Sequence, residues 1–248
     1  ARAAGFSRVM LNFAWDQVDA AFLKDLPAWL RASGLLCDAL GAYVNCTEPR
    51  AVLMNTRAED FLRAIDYASE LNTSRLVAWT GSHLPELMRP DPRNFTRASE
   101  DALVRFVESH LPRLERASLT LALETYITLT CPDAPSLPRV LKRLPPSVGA
   151  VMDPPNLTPI ARYAQRDEEM RAMFKALQGR IAVVHMKDFR LAAGGQSYDL
   201  PGPLAGEMNY QLYASLIRAL PAAIPAAVEH IGPDQYSAVR AKLLPYFA

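Results

Sequence analysis

Four side chains able to bind metal or move protons stand at the ends of four short apolar runs. They are Glu124 in TLALETY (120–126), Asp153 in GAVMDPPNL (149–157), His185 in IAVVHMKDF (181–189) and Glu229 in PAAVEHI (225–231). Each run reads as a buried parallel strand that delivers a polar residue at its C-terminal end. The four are separated by 29, 32 and 44 residues, and the first two gaps fit one strand–loop–helix–loop unit. Residues two apart in a strand share a face. Counting back in twos gives Ala122 and Thr120, Val151 and Gly149, Val183 and Ile181, Ala227 and Pro225. These are small or aliphatic, as the interior of a packed barrel requires, so the four polar groups are expected to form one layer at its mouth. Three carboxylates converging there repel one another unless a cation lies among them, and a divalent metal supplies it. One imidazole with three carboxylates is a hard, oxygen-rich set. It suits manganese, with magnesium or cobalt as alternatives, better than a closed structural zinc site.

The elements that must position these groups follow a strand–helix alternation. Strands are expected at 6–12, 40–46, 75–82, 120–126, 149–157, 181–189 and 225–231. Helices are expected at 16–34, with Phe22, Leu23, Leu26, Trp29 and Leu30 inward, and at 58–71. Others follow at 99–117, capped by Ser99, and at 138–144, 167–179, 209–220 and 233–247, with Asp167 capping the helix that begins there and Asn209 opening the next. Pro112 is expected to kink or split its helix. A long loop over 190–208 carries Gly194, Gly195 and Gly202. This alternation predicts an α/β fold with a parallel sheet. At 248 residues the chain fits one domain, 1–248, the size of a (β/α)8 TIM barrel. Seven strands are counted where a closed barrel has eight, so the first strand and most of the first helix are expected to be missing from this chain. Residues 1–4 read as a helix end stopped by Gly5. A doubly wound open sheet is the alternative, weakened by the absence of GxGxxG or GxxxxGK[ST] after any strand.

Composition narrows the function. Net charge is +1 with charges interspersed, which argues against a nucleic-acid partner. No apolar run reaches the roughly 18 residues of a membrane span. Cys37, Cys46 and Cys131 have no ligand spacing, and their odd number fits reduced thiols in a cytoplasmic protein.

The ordered series Glu…DPxN…HxKD…Glu, each part at a strand end, resembles the xylose isomerase-like TIM barrels, the sugar phosphate isomerase/epimerase family, over about residues 5–248. The resemblance implies that Glu124, Asp153, His185 and Glu229 are metal ligands. It also implies that Glu124 and Glu229 act as acid and base through a metal-stabilised enediolate. The activity implied is isomerisation or epimerisation of a small sugar, keto-sugar or sugar phosphate, in a protein that assembles as a homo-oligomer. Two rivals stand beside it: a dehydratase or lyase of the inosose dehydratase kind, and a barrel that binds without catalysis. Lys187, on His185's face, and Arg190 are candidate contacts to substrate oxygens or phosphate. Asn156, after the Asp153 turn, and His83, at the third strand's end, are candidate pocket residues. Several epimerases of this family carry a histidine where Asn156 stands, which separates this chain from them. With only His83, His110, His185 and His230, the chain lacks the histidines of the trinuclear DNA-repair enzymes of this fold.

Overall fold

The structure, a computed structural model, describes residues 1–53 and 56–247. Seven parallel strands form one curved sheet: β1 (Arg8–Asn12), β2 (Leu36–Asn45), β3 (Arg75–Trp79), β4 (Thr120–Glu124), β5 (Val148–Met152), β6 (Ile181–Met186) and, after a short hairpin, β9 (Ala226–Val228). The strands pair in chain order, and among the described residues no pairing joins β1 to β9. Helices α1 (Ala20–Ala32), α2 (Ala58–Glu70), α3 (Arg97–Arg116), α4 (Ser136–Leu141), α6 (Arg166–Ala176), α7 (Tyr210–Arg218) and α8 (Tyr236–Phe247) connect or follow the strands, with α5 (Pro154–Leu157) a single turn. The result is a nearly closed TIM barrel of seven strands, as the alternation predicts. No helix of the described residues is long and apolar enough to cross a membrane.

Strand periodicity divides the core in two. Leu76, Ala78, Leu121, Leu123, Ala150, Met152, Val184 and Met186 face the helices. Val77, Ala122, Val151 and Val183 fill the barrel interior with Tyr43, Trp79 and Tyr126. The interior set matches the expectation from counting in twos, with one exception. Ile181 joins the helix-facing core and Ala182 the interior. The β5–β6 register shifts between Ala150 and Val151, which advances β6 by one residue and turns Ile181 outward. Gly149 permits this, because a Cβ there would stand 2.6 Å from the Arg180 carbonyl oxygen and 3.0 Å from Ala182 Cβ.

Several boundaries differ from the sequence pattern. The run at 149–157 leaves the sheet at Met152 and becomes the α5 turn, with Pro154 in its first position. Part of the 190–208 segment is an antiparallel hairpin, β7 (Arg190–Leu191) with β8 (Tyr198–Asp199). Thr96 caps α3 in place of Ser99, accepting from Ser99 N–H, while the Ser99 hydroxyl donates to Arg93 O at 2.6 Å. Asp167 lies inside the first turn of α6 and accepts from the Asn209 amide at 2.7 Å, while Asn209 caps α7 as expected. Pro112 does not divide α3. It and Glu108, whose carbonyl loses its donor, both lie on the exposed face of the helix, where the lost bond costs least. On α1, Leu23, Leu26 and Leu30 are buried as expected, but Phe22 and Trp29 are exposed, because no described element packs over that flank.

Glu100 joins α3 to α4. Its buried carboxylate accepts from Arg97 at 2.7 Å and pairs with Arg139. Burial alone would raise its pKa, but the two guanidinium groups lower it below the ordinary glutamate value. A carboxyl lowered on folding adds stability above its unfolded pKa and loses it as pH falls through the folded one. Replacing Glu100 with Gln is expected to cost about 1–3 kcal/mol at pH 7. The gap from wild type should narrow at a pH below the ordinary glutamate range, where the folded carboxyl takes up its proton. Urea unfolding of both proteins at the two pH values measures it, and an equal deficit at both would refute the assignment.

Candidate metal centre

The parallel sheet brings the four strand-end groups to one place. Glu124 is the last residue of β4, Asp153 follows β5, His185 is next to last in β6, and Glu229 follows β9. Ligand atoms of Glu124, Asp153 and His185 all lie within 4.8 Å of one another, and all three residues are buried. Around His185 Nδ1 stand Glu229 Oε1 at 3.2 Å, Glu124 Oε1 at 3.4 Å and Asp153 Oδ2 at 3.6 Å. None of these is a well-directed hydrogen bond: Nδ1 and Asp153 Oδ1 are buried without a hydrogen-bond partner. Buried polar atoms normally have partners. An imidazole nitrogen ringed by carboxylate oxygens it does not bond is the arrangement expected of donors turned toward a shared cation. The set therefore fits a divalent ion.

Lys187 completes the charge pattern. Its Nζ lies 2.6 Å from Asp153 Oδ2 and 3.5 Å from Glu229 Oε2, with the side chain buried. Three carboxylates thus face one ammonium and one imidazole. Burial would lower the His185 pKa, but the Glu229 and Glu124 carboxylates outweigh it and raise it well above the ordinary value. Burial opposes the charged form of Asp153, yet Lys187 and His185 hold its carboxyl below the usual range. Lys187 is raised, the neighbouring carboxylates overcoming its burial.

Neighbouring groups hold these side chains in place. Tyr213 O–H donates to His185 O at 2.7 Å and Tyr210 O–H to Lys187 O at 2.8 Å, so two tyrosines three apart on α7 support the end of β6. Asp188 accepts from Phe189 N–H and Met208 N–H, drawing the following loop back onto the strand end. His185 Nε2 faces Met10 Sδ of β1 at 3.3 Å. Glu124 is held on both oxygens: Tyr43 O–H donates to Oε2 and the Asn156 amide to Oε1, each at 2.9 Å. Burial and the nearby carboxylates of Glu124 and Glu229 raise the Tyr43 pKa well above its ordinary value, which keeps it a donor. Tyr43, Tyr210 and Tyr213 escaped the sequence reading. Their only sequence signals are Tyr43's place in the β2 run and the Tyr-x-x-Tyr spacing on α7.

The remaining candidates take varied places. Asn156 turns inward onto Glu124 and keeps a buried Oδ1 without a partner. His83 Nε2 lies 2.8 Å from Ser99 Oγ, at the start of α3. Arg190 is half-exposed on the hairpin, bonded to Asp199 and to Ala205 O. Trp79 and Tyr126 do line the barrel interior. His230 reaches Leu200 O, and His110 packs on Phe61 and Phe106.

Comparison with known proteins agrees with this fold. No curated protein matches the chain in sequence. Solved structures do match it in fold. The probable 3-DHS dehydratase AsbF from Bacillus anthracis superposes with TM-score 0.69 at 14% identity, over 98% of this chain and 89% of its own. An L-ribulose 3-epimerase gives 0.66 at 14%, over 98% and 77%. A xylose isomerase-like TIM barrel protein from Mycobacterium smegmatis, in complex with magnesium, gives 0.65 at 14%, over 99% and 85%. At these identities the likeness is one of fold. A family model described as xylose isomerase-like TIM barrel matches residues 1–243. Its match spans the sheet and all four strand-end groups, so the chain belongs to the xylose isomerase-like TIM barrel family.

Proposed function

We propose that the protein is a divalent-metal-dependent isomerase or epimerase of a small sugar, keto-sugar or sugar phosphate. The observation that carries this reading is the buried His185 Nδ1, with three carboxylates within 3.6 Å and no hydrogen-bond partner. Glu124, Asp153, His185 and Glu229 are the proposed holders of the ion. A bound divalent cation supplies Lewis-acid stabilisation of negative charge on a substrate oxygen. Manganese, magnesium and cobalt all suit the oxygen-rich donors.

The chain's own residues then divide the proton transfer. Glu229 is 22% exposed and accepts no hydrogen bond from a described N–H or O–H. Its carboxylate is free to take the proton alpha to a carbonyl. Glu124 faces the same space from β4 and is the proposed partner acid. Delivery of a proton to the opposite face of the same carbon epimerises, and delivery to the neighbouring carbon isomerises. Asn156 Oδ1 and Lys187 Nζ are the proposed contacts to substrate oxygens. Loss of a β-hydroxyl after the same proton removal gives a dehydratase, the activity named for one of the neighbours. Deuterium incorporation from heavy water into a panel of ketoses and inososes, read by NMR, tests both readings. An isomer or epimer supports the first and a dehydrated product the second, exchange alone supports the proton removal common to both, and none of these with any compound overturns both. Glu229→Gln is expected to reduce exchange by about 100-fold or more.

Metal content separates binding from catalysis. After dialysis against limiting Mn²⁺, elemental analysis is expected to give about one ion per chain, lost in His185→Ala. An unchanged metal content in that variant would sink the site.

The proton balance has a definite sign. His185 is raised above its unfolded value by the Glu229 and Glu124 carboxylates, so the metal-free fold favours the protonated ring. Any stability this proton confers is complete below about pH 6.5 and lost as pH rises through the raised value. Metal binding needs the neutral ring. Affinity for Mn²⁺ is therefore expected to rise with pH as the raised His185 loses its proton, with proton release on binding. Calorimetry in buffers of different ionisation heat measures the release, and pH-independent binding would contradict the charge pattern.

A further inference from the structure

The two glutamates at the barrel mouth are held differently. Glu229 meets only the charges of His185 and Lys187. Glu124 has a neutral donor on each oxygen. Tyr43 on β2 reaches Oε2, and Asn156 on α5 reaches Oε1, which is also the oxygen nearest His185 Nδ1. The amide orientation follows from the chemistry. An ionised carboxylate only accepts, so the Asn156 nitrogen must face it.

Both donors are themselves fixed. The Tyr43 ring packs on Trp79 with centroids 4.9 Å apart, inside the barrel. Two residues earlier on the same face of β2, Gly41 leaves room for the ring. A Cβ there would lie 2.9 Å from the Tyr43 ring and 2.8 Å from Asn12 Oδ1. Asn156 is buried in the one-turn α5 helix, with its backbone N–H on Asp153 O at 3.0 Å. Its position is therefore tied to that of the neighbouring ligand candidate.

We propose that Tyr43 and Asn156 are positioning residues that clamp Glu124, so that Oε1 alone is offered to a cation while Oε2 is held away by the tyrosine. The clamp rests on the reading that Glu124 is a metal donor. Its consequence is selectivity. A carboxylate restricted to one oxygen favours a small ion of strict octahedral geometry. One free to turn both oxygens inward favours Ca²⁺, which accepts bidentate carboxylates and irregular, higher coordination. Groups that orient ligands typically contribute 10- to 100-fold in metal affinity.

The test is calorimetric titration of the full chain with Mn²⁺ alone and with Ca²⁺ alone, for wild type, Tyr43→Phe and Asn156→Ala. Thermal unfolding of each metal-free protein is measured alongside. The expected result in each variant is a 10- to 100-fold loss of Mn²⁺ affinity with Ca²⁺ affinity unchanged or increased, so that the Mn²⁺/Ca²⁺ preference falls. Should Tyr43→Phe fail to fold, Asn156→Ala carries the test. Equal losses for both ions overturn the clamp, because general loosening of the site does not alter preference. Unchanged affinities in a wild type that binds Mn²⁺ also overturn the clamp, while leaving the proposed metal centre intact. A wild type that binds no Mn²⁺ overturns the metal centre, and the clamp with it.

Discussion

Gathering three carboxylates around one buried imidazole is costly in an apolar barrel, and the arrangement of the mouth follows from how that cost is met. Two like charges 4 Å apart repel by about 4 kcal/mol at the effective dielectric of a protein. Lys187 is buried against Asp153 and Glu229, and the Glu229 and Glu124 carboxylates favour the protonated form of His185. The formal balance is then three negative charges against two positive. Exchanging the imidazole proton for a divalent ion brings the same groups to neutrality, which is why a metal reading accounts for both the geometry and the raised imidazole.

Holding those charges in place requires rigid backbone at the strand ends, where pairing within the sheet stops. The α7 tyrosines supply it for β6 by bonding the carbonyls of His185, near the strand's end, and of Lys187, just past it. Asp188 does the same for the loop beyond. The support comes from the layer outside the sheet, while the ligand candidates point inside. Where pairing within the sheet ends, backbone carbonyls need other partners, and hydroxyls from the helix layer supply them.

The strand order, the barrel class and the convergence of Glu124, Asp153, His185 and Glu229 were legible in the sequence. Each rests on local period and on the fact that parallel strands end on the same side. Three things were not. The turn of Ile181 away from the interior depends on a register shift between two strands, which neither strand encodes alone. The exposure of Phe22 and Trp29 depends on what lies beside α1, while amphipathic spacing reports only that one helix face is apolar. The role of Tyr43 depends on a contact between residues 81 apart in the chain, made through a hydroxyl on a side chain that otherwise reads as core.

The unpaired edges of β1 and β9 border a cavity of about 210 Å³ lined by Met10, Asn12, Tyr43, Val183 and Glu229, among others. Met10 backs the imidazole, and Glu229 is the proposed base, so two partners of the centre belong to strands paired on one side only. In a closed barrel the distance across the mouth is locked by a continuous ring of backbone bonds. Here the sheet is a split cylinder: β4, β5, β6 and β9 carry the four polar groups in one run of paired strands, and among the described residues it is the distance from β9 to β1 that is left to side-chain packing. The elastic dimension of the mouth is thereby the approach of Met10, on β1, to the imidazole.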